Sequence, residues 1–214
     1  QLFSPFFILC CCLLLFIELG NKVFLFPRRT STAYVVLKPE IKASLEKLSV
    51  CLKSYTELTR DHSLFSLAMS GSKQDNAFLI FPEPPNVSSV SINQEEVKIK
   101  TDPEVLEWKH TCVTWDSETG VIQLWVNGKL YPRRVSQKGF SIEPPISIIL
   151  GQEQDSFGGK FDQDQCFVGE LSDVHMWDHV LTPEDIQKVL SGDHPGNVIN
   201  WRSLNFEMKG NVLI

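Results

Sequence analysis

The chain has 214 residues, is 43% hydrophobic and carries 26 acidic against 20 basic side chains, for a net charge of −6. That length and apolar content suit one large β domain with a real core, or at most two small domains. The mild acidity, with no Lys/Arg run, gives nucleic-acid binding no electrostatic footing.

From Phe6 to Ile17 the chain is uninterrupted apolar sequence of twelve residues. A membrane-spanning helix needs about 20 residues, whereas twelve suits the apolar centre of a secretory signal. Residues 1–20 are therefore expected to be a signal-like leader and not a transmembrane anchor. Residues 21–214 are expected to form a secreted, extracellular domain. Of six cysteines, Cys10, Cys11 and Cys12 fall in the leader. Cys51, Cys112 and Cys166 remain, which allows one disulfide and one free thiol in an oxidising compartment. No C-x-x-C spacing occurs, so a zinc ribbon or thioredoxin-type site is not expected.

After Gly20 short strands alternate with turns. Val23–Phe26 stops at Pro27 and Tyr34–Leu37 stops before Pro39. In Leu48–Leu58, Leu48, Val50 and Leu52 fall on one face and Ser49, Cys51 and Lys53 on the other. Further strands are expected at residues 63–69, 77–81, 87–93, 97–100, 110–115, 121–126, 146–150 and 167–177. Pro82, Pro84 and Pro85 are expected to interrupt the strand pattern. Asn86-Val87-Ser88 follows them as a glycosylation sequon in a surface loop. Asn127-Gly128 between two strands predicts a tight hairpin, because both central residues need positive φ. Many short strands at regular spacing argue for an all-β antiparallel sandwich. One helix is expected within Leu181–Gly192. Thr182 suits its N-cap, Pro183 its first turn and Asp185 a capping-box acid, with Leu181 and Ile186 as staple and Gly192 as C-cap.

The densest oxygen-bearing run is Gln152-Glu153-Gln154-Asp155, followed by two glycines, Asp162 and Gln165. Calcium takes 6–8 oxygens from carboxylates, amides and carbonyls, and glycine lets such ligands converge. The acids alone equally fit a solvated acidic loop, and the EF-hand spacing is absent. A sandwich glycosidase could use E-x-D-x-x-E, but Gly158 stands where the second catalytic glutamate belongs. No G-x-S-x-G elbow is present. His175 and His179 lack the glutamate of H-E-x-x-H and read as structural or surface residues. No catalytic residue is assigned.

His110-Thr111-Cys112-Val113-Thr114-Trp115-Asp116-Ser117 matches H-x-C-x-[ST]-W-x-[ST]. With it, Ser147–Phe161 and the ordered segments around Val23, Tyr55, Gln74, His175 and Trp201 make the chain from Val23 to Val212 resemble the short pentraxin family. The resemblance implies a jelly-roll sandwich with one helix packed on one face, and two calcium ions per subunit. It implies metal ligands at Asp75, Asn76, Glu153, Asp155, Gln165 and the backbone carbonyl of Gln154. Asp162 stands as a second-ion ligand or a nearby acid. It implies a Cys51–Cys112 disulfide, both residues lying on predicted strands as a sheet-bridging bond requires; Cys166 is then a buried thiol or an intermolecular link. It implies a ligand pocket at Phe81, Ser91 and Glu96, an aromatic face and a carboxylate suited to the choline of phosphocholine. Phe81, which alternates with Leu79, equally suits core packing, and Glu96 a solvated turn.

The family further implies a homo-oligomer, a pentamer. Its ligands are phosphocholine, phosphoethanolamine, carboxylates or carbohydrate on microbes, damaged cells or glycans. Complement and Fc-receptor partners, innate immunity and an acute-phase or mucosal setting come from the same resemblance. The alternative is a structural or adhesive sandwich in which calcium only stiffens the loop. Family members run several residues beyond the position of Ile214, so the last strand is expected to be incomplete.

Overall fold

Period-two runs of apolar residues become strands in a computed structural model that describes residues 19–71 and 74–214. In chain order they are β1 (Phe24–Phe26), β2 (Tyr34–Leu37), β3 (Lys47–Tyr55), β4 (Phe65–Met69), β5 (Phe78–Glu83), β6 (Val87–Ile92) and β7 (Glu95–Lys100). There follow β8 (Lys109–Asp116), β9 (Val121–Val126), β10 (Lys129–Leu130), β11 (Arg134–Val135), β12 (Ile146–Leu150), β13 (Gly169–Trp177) and β14 (Phe206–Lys209). Of the expected leader, residues 1–20, the first eighteen lie outside those described. Leu19, just past them, is fully buried, and its carbonyl accepts from Trp201 Nε1 at 2.9 Å. Among the described residues, no helix is long and apolar enough to cross a membrane.

Two antiparallel sheets result. The first runs β1-β13-β3-β8-β9-β10, with β11 also paired to β9; the second runs β14-β2-β12-β4-β5-β6-β7. Leu48, Val50, Leu52, Val113 and Trp115 from the first meet Val35, Phe65, Phe78, Ile80 and Ile148 from the second in one buried cluster. Burying each such side chain contributes about 1.5–3 kcal/mol. This is the all-β antiparallel sandwich expected from the strand pattern, with the jelly-roll form that the resemblance implies.

The alternation read from β3 holds only in part. Ser49 and Cys51, expected on a polar face, are as buried as Leu48 and Val50. The cause is α1 (Pro183–Ser191), which lays Ile186 and Val189 over the outer face of the first sheet against Cys51, Cys112, Trp125, Trp177 and Leu181. Its caps are as expected: Thr182 Oγ1 accepts from Asp185 N at 3.2 Å, and Gly192 closes the helix at φ 83°. The Cys51–Cys112 disulfide lies beneath it. The two cysteines are direct partners in the β3–β8 register, so the bond staples neighbouring strands of one sheet and does not bridge the two sheets.

Asn127 and Gly128 both take positive φ, 48° and 77°, and join β9 to β10 as expected. The proline segment differs from expectation. β5 continues through Pro82 to Glu83, with Pro82 opposite Ser88. The β4 partner of β5 ends at Ile80, so the missing Pro82 N–H costs no ladder bond. Asn86 lies half-exposed in the β5–β6 turn, its carbonyl accepting from Thr101 N at 2.9 Å. β6 turns into β7 at Asn93-Gln94, both at positive φ.

Candidate metal centre

The second sheet ends in an engineered-looking exit from β12, and each step has a local cause. At Gly151, φ is 84°, and a Cβ there would lie 2.3 Å from the Phe26 ring. Only glycine lets the chain turn there. Gln152 then anchors to the β2 approach, its Nε2 donating to Thr30 O at 2.6 Å and Ala33 O at 2.9 Å. Gln154 anchors across β4 and β12, donating to Ser66 O at 3.0 Å and Ser147 O at 3.2 Å. Its Oε1 accepts from Gly158 N at 2.8 Å, tying down the far side of the loop. The Gln154 side chain is thus committed to structure, which leaves its backbone carbonyl as the group available to a metal.

Between and beyond these anchors stand Glu153 and Asp155. Glu153 is 3% exposed, while Asp155 reaches solvent. Asp75, from the turn before β5, joins them: one carboxylate oxygen from each lies within 4.8 Å of the others. Asn76 sits beside Asp75, and its carbonyl accepts from Gln94 N at 3.0 Å. Gln165 comes from later in the same β12–β13 connection, held where Ser63 N donates to its carbonyl at 2.9 Å. Asp162 stays outside the three-carboxylate cluster. Its Oδ1 accepts from Asp164 N and its carbonyl from Gln165 N, so it shapes the turn that presents Gln165.

The electrostatics follow from burial and crowding. Burial, reinforced by the Asp155 and Asp75 charges, pushes the Glu153 carboxyl up to about 7 against a partial offset from an Asn76 hydrogen bond. Burial, with the Asp75 and Asp162 charges, also raises Asp155. Three acids held together at this cost are relieved either by taking up a proton or by a bound cation. Three acceptor oxygens are buried here without a hydrogen-bond donor: Asn76 Oδ1, Glu153 Oε2 and Gln165 Oε1. Each unpaired buried polar atom costs about 1–3 kcal/mol. Gln152 Oε1 is a fourth at the edge of the loop. An all-oxygen donor set of carboxylates, amide oxygens and a carbonyl is the chemistry of a hard divalent cation, calcium above all.

The predicted ligand pocket is partly assembled. Leu79, Ser91 and Glu96 form one cross-strand row over β5–β7, and Phe81, Ser89 and Lys98 form the next. Both rows face away from the core, because the alternating Ile80, Val90, Ile92 and Ile99 lie in it. Phe81 therefore does not pack in the inter-sheet core; it is half-buried on the outer face. Ser91 is only 6% exposed, and Glu96 is exposed within 3.7 Å of Lys98. Lys98 carries no motif, and nothing in the oxygen-bearing run Gln152-Glu153-Gln154-Asp155 marks its two glutamine side chains as anchors. Cys166 is a buried free thiol, with Arg60 Nη2 3.4 Å from its sulfur. His175 Nδ1 accepts from Gly196 N at 3.2 Å, a structural role, and His179 is exposed beside Asp178.

A profile described as the Pentaxin family matches residues 22–214. The chain is 62% identical over 195 residues to a C-reactive protein of Xenopus laevis, covering 90% of this chain and 82% of that protein. It is 42% identical over 199 residues to the serum amyloid P-component of Mus musculus, covering 92% and 88%. Its structure resembles a native heptameric SAP-like pentraxin from Limulus polyphemus, with a TM-score of 0.77 and 25% identity over 89% of this chain and 92% of that one.

Proposed function

This chain belongs to the pentaxin family, and we propose that it is a secreted, calcium-dependent recognition protein. It holds two calcium ions through Asp75, Asn76, Glu153, Asp155, Gln165 and the Gln154 carbonyl, with Asp162 as an adjacent acid. It is not an enzyme: family membership accounts for the whole folded domain, and the second carboxylate a sandwich glycosidase needs is Gly158. One observation carries the reading. The buried oxygens that lack a donor, on Asn76, Glu153 and Gln165, come from the β4–β5 and β12–β13 connections: Asn76 adjoins Asp75 and bonds Glu153 within the cluster of acids, and Ser63 ties Gln165 to Gln152 beside Glu153. Bound calcium supplies the positive charge that the acids require and a Lewis-acidic anchor for a phosphate or carboxylate ligand.

The chain's own residues do the rest. Gln152 and Gln154 fix the loop, so little ordering is left when metal enters. Asp155 lies at the solvent edge, which favours a site with positions open to ligand over one closed by protein oxygens for stiffness alone. Phe81, Ser91 and Glu96 flank that opening on the outer face of β5–β7. We extend the proposal to assembly: this chain forms a homo-oligomeric ring, a pentamer, whose repeated sites raise weak single-site binding by avidity. Its targets are phosphocholine-, phosphoethanolamine-, carboxylate- or carbohydrate-bearing surfaces in innate immunity, with complement or Fc receptors as downstream partners.

The test is retention of the purified protein on phosphocholine, phosphoethanolamine and agarose matrices in calcium, followed by EDTA. Calcium-dependent retention and release by EDTA are expected, with Glu153→Gln not retained. Retention that ignores EDTA would sink the mechanism.

A further inference from the structure

On the outer face of β5–β7, where Phe81, Ser91 and Glu96 lie, a lysine crosses the sheet. Lys98 starts on β7, and its ammonium reaches over β6 to Glu83 on β5, 2.7 Å from Glu83 Oε2. The same nitrogen lies 3.7 Å from Glu96 Oε2. Ser89 lies in the same cross-strand row, between Lys98 and Phe81; it is 1% exposed, and its Oγ has no hydrogen-bond partner. The outer face therefore presents an aromatic ring, a buried hydroxyl and an ammonium in one row, and Glu96 in the next row shares that ammonium with Glu83.

We infer that Lys98 sets ligand preference at this site, favouring phosphates and carboxylates whose remainder carries hydroxyl or acidic oxygens over those that carry a fixed cation. The inference rests on the calcium reading above, which supplies the anchor for the ligand's acid group. A quaternary ammonium seeks an aromatic face and an unshared carboxylate. On this face Glu96 and Glu83 are both engaged by Lys98, and a cation set over Phe81 meets a like charge across Ser89. An oxygen-bearing tail meets the reverse. An ammonium has three N–H donors; one is given to Glu83 Oε2 at 2.7 Å, Glu96 at 3.7 Å is held by charge alone, and a donor remains for a ligand oxygen. Lys98 is 55% exposed, so a ligand reaches it without displacing the fold.

The experiment is calorimetric titration of the full chain in saturating calcium with phosphocholine and with glycerol 3-phosphate. Both are phosphate monoesters and differ only in the tail. The wild-type protein is expected to bind glycerol 3-phosphate at least as tightly. Lys98→Met, which keeps an unbranched stem over Ser89, is expected to gain about fivefold for phosphocholine and to lose about as much for glycerol 3-phosphate, with the change shrinking as salt rises. The same ratio of affinities in both proteins, or a wild-type preference for phosphocholine, overturns the role of Lys98 alone. If neither protein binds either probe in calcium, the calcium reading has failed and takes this inference with it.

Discussion

The helix-covered flank of the first sheet and the loop flank of the second treat buried polar chemistry in opposite ways. Under α1, Cys51 and Cys112 are joined to each other and sealed by Trp125, Trp177, Leu181, Ile186 and Val189. Their chemistry is finished within the chain; the unpaired buried atoms on that flank, Trp125 Nε1, Thr114 Oγ1 and His194 Nε2, include no carboxylate or amide oxygen. At the loop, Gln154 and the Gln152 amide nitrogen serve as anchors, while four acceptor oxygens are left without a donor and three carboxylates crowd without a counter-charge. The contrast separates a region built for stability from one whose stability is completed by something bound.

Breaking the first region should cost most in stability. Replacing Cys51 and Cys112 together by Ser opens a closed loop of 61 residues' separation and is expected to remove about 4 kcal/mol, read by denaturant unfolding. Calcium-dependent retention at temperatures where that variant is folded should persist. Its loss would show that the two flanks are not independent.

Acid comes next. Burial holds the His62 imidazole down at about 4, against the usual 6.5. Its neutral form is thus favoured by folding, and the unfolded chain takes up the proton first. The contribution is present above pH 6.5 and is lost as pH falls to about 4, which amounts to about 3 kcal/mol for this group. His110 and His175 are depressed to about 4 by burial in the same sense. Unfolding free energy measured from pH 7.5 to 4 should fall steeply below 6.5, and His62→Gln should flatten the slope. An unchanged slope would remove His62 from the account.

The loop region should respond to metal by a smaller amount per ion. Each calcium at a hundredfold excess over its dissociation constant is expected to stabilise the wild-type protein by about 2.7 kcal/mol, seen as a rise in Tm that EDTA abolishes. Gln154→Ala, which cuts the anchor from Ser66 to Gly158, should weaken that response while leaving the disulfide flank intact. The smallest effect belongs to the cap of α1: Thr182→Ala should cost about 1 kcal/mol and leave the calcium response alone.

Much of this was legible before any coordinates. Tyr34–Leu37, Val121–Val126 and Ile146–Leu150 are strands at the expected bounds, and the helix has the caps read from Thr182, Pro183 and Gly192. What escaped was non-local. Nothing in β3 announces that Ser49 and Cys51 lie under a helix more than 130 residues away. Pro82 argued against a strand, because a sequence does not show that the neighbouring strand has already ended. The strands β10, β11 and β14 are two to four residues long and too short for alternation to register. At the site, the resemblance placed the acids and amides, and the geometry brings Asp75, Glu153 and Asp155 together. It leaves Asp162 shaping a turn, and it adds Lys98, whose reach across two strands no spacing rule encodes.

The most direct measurement is a calcium titration of the metal-free protein by calorimetry, beside the same titration of Glu153→Gln. Two ions per chain are expected in the wild-type protein, with the substitution abolishing the tight phase because it removes the buried charge central to the cluster. An unaltered isotherm in Glu153→Gln, or no calcium heat in the folded wild-type protein, would contradict the account.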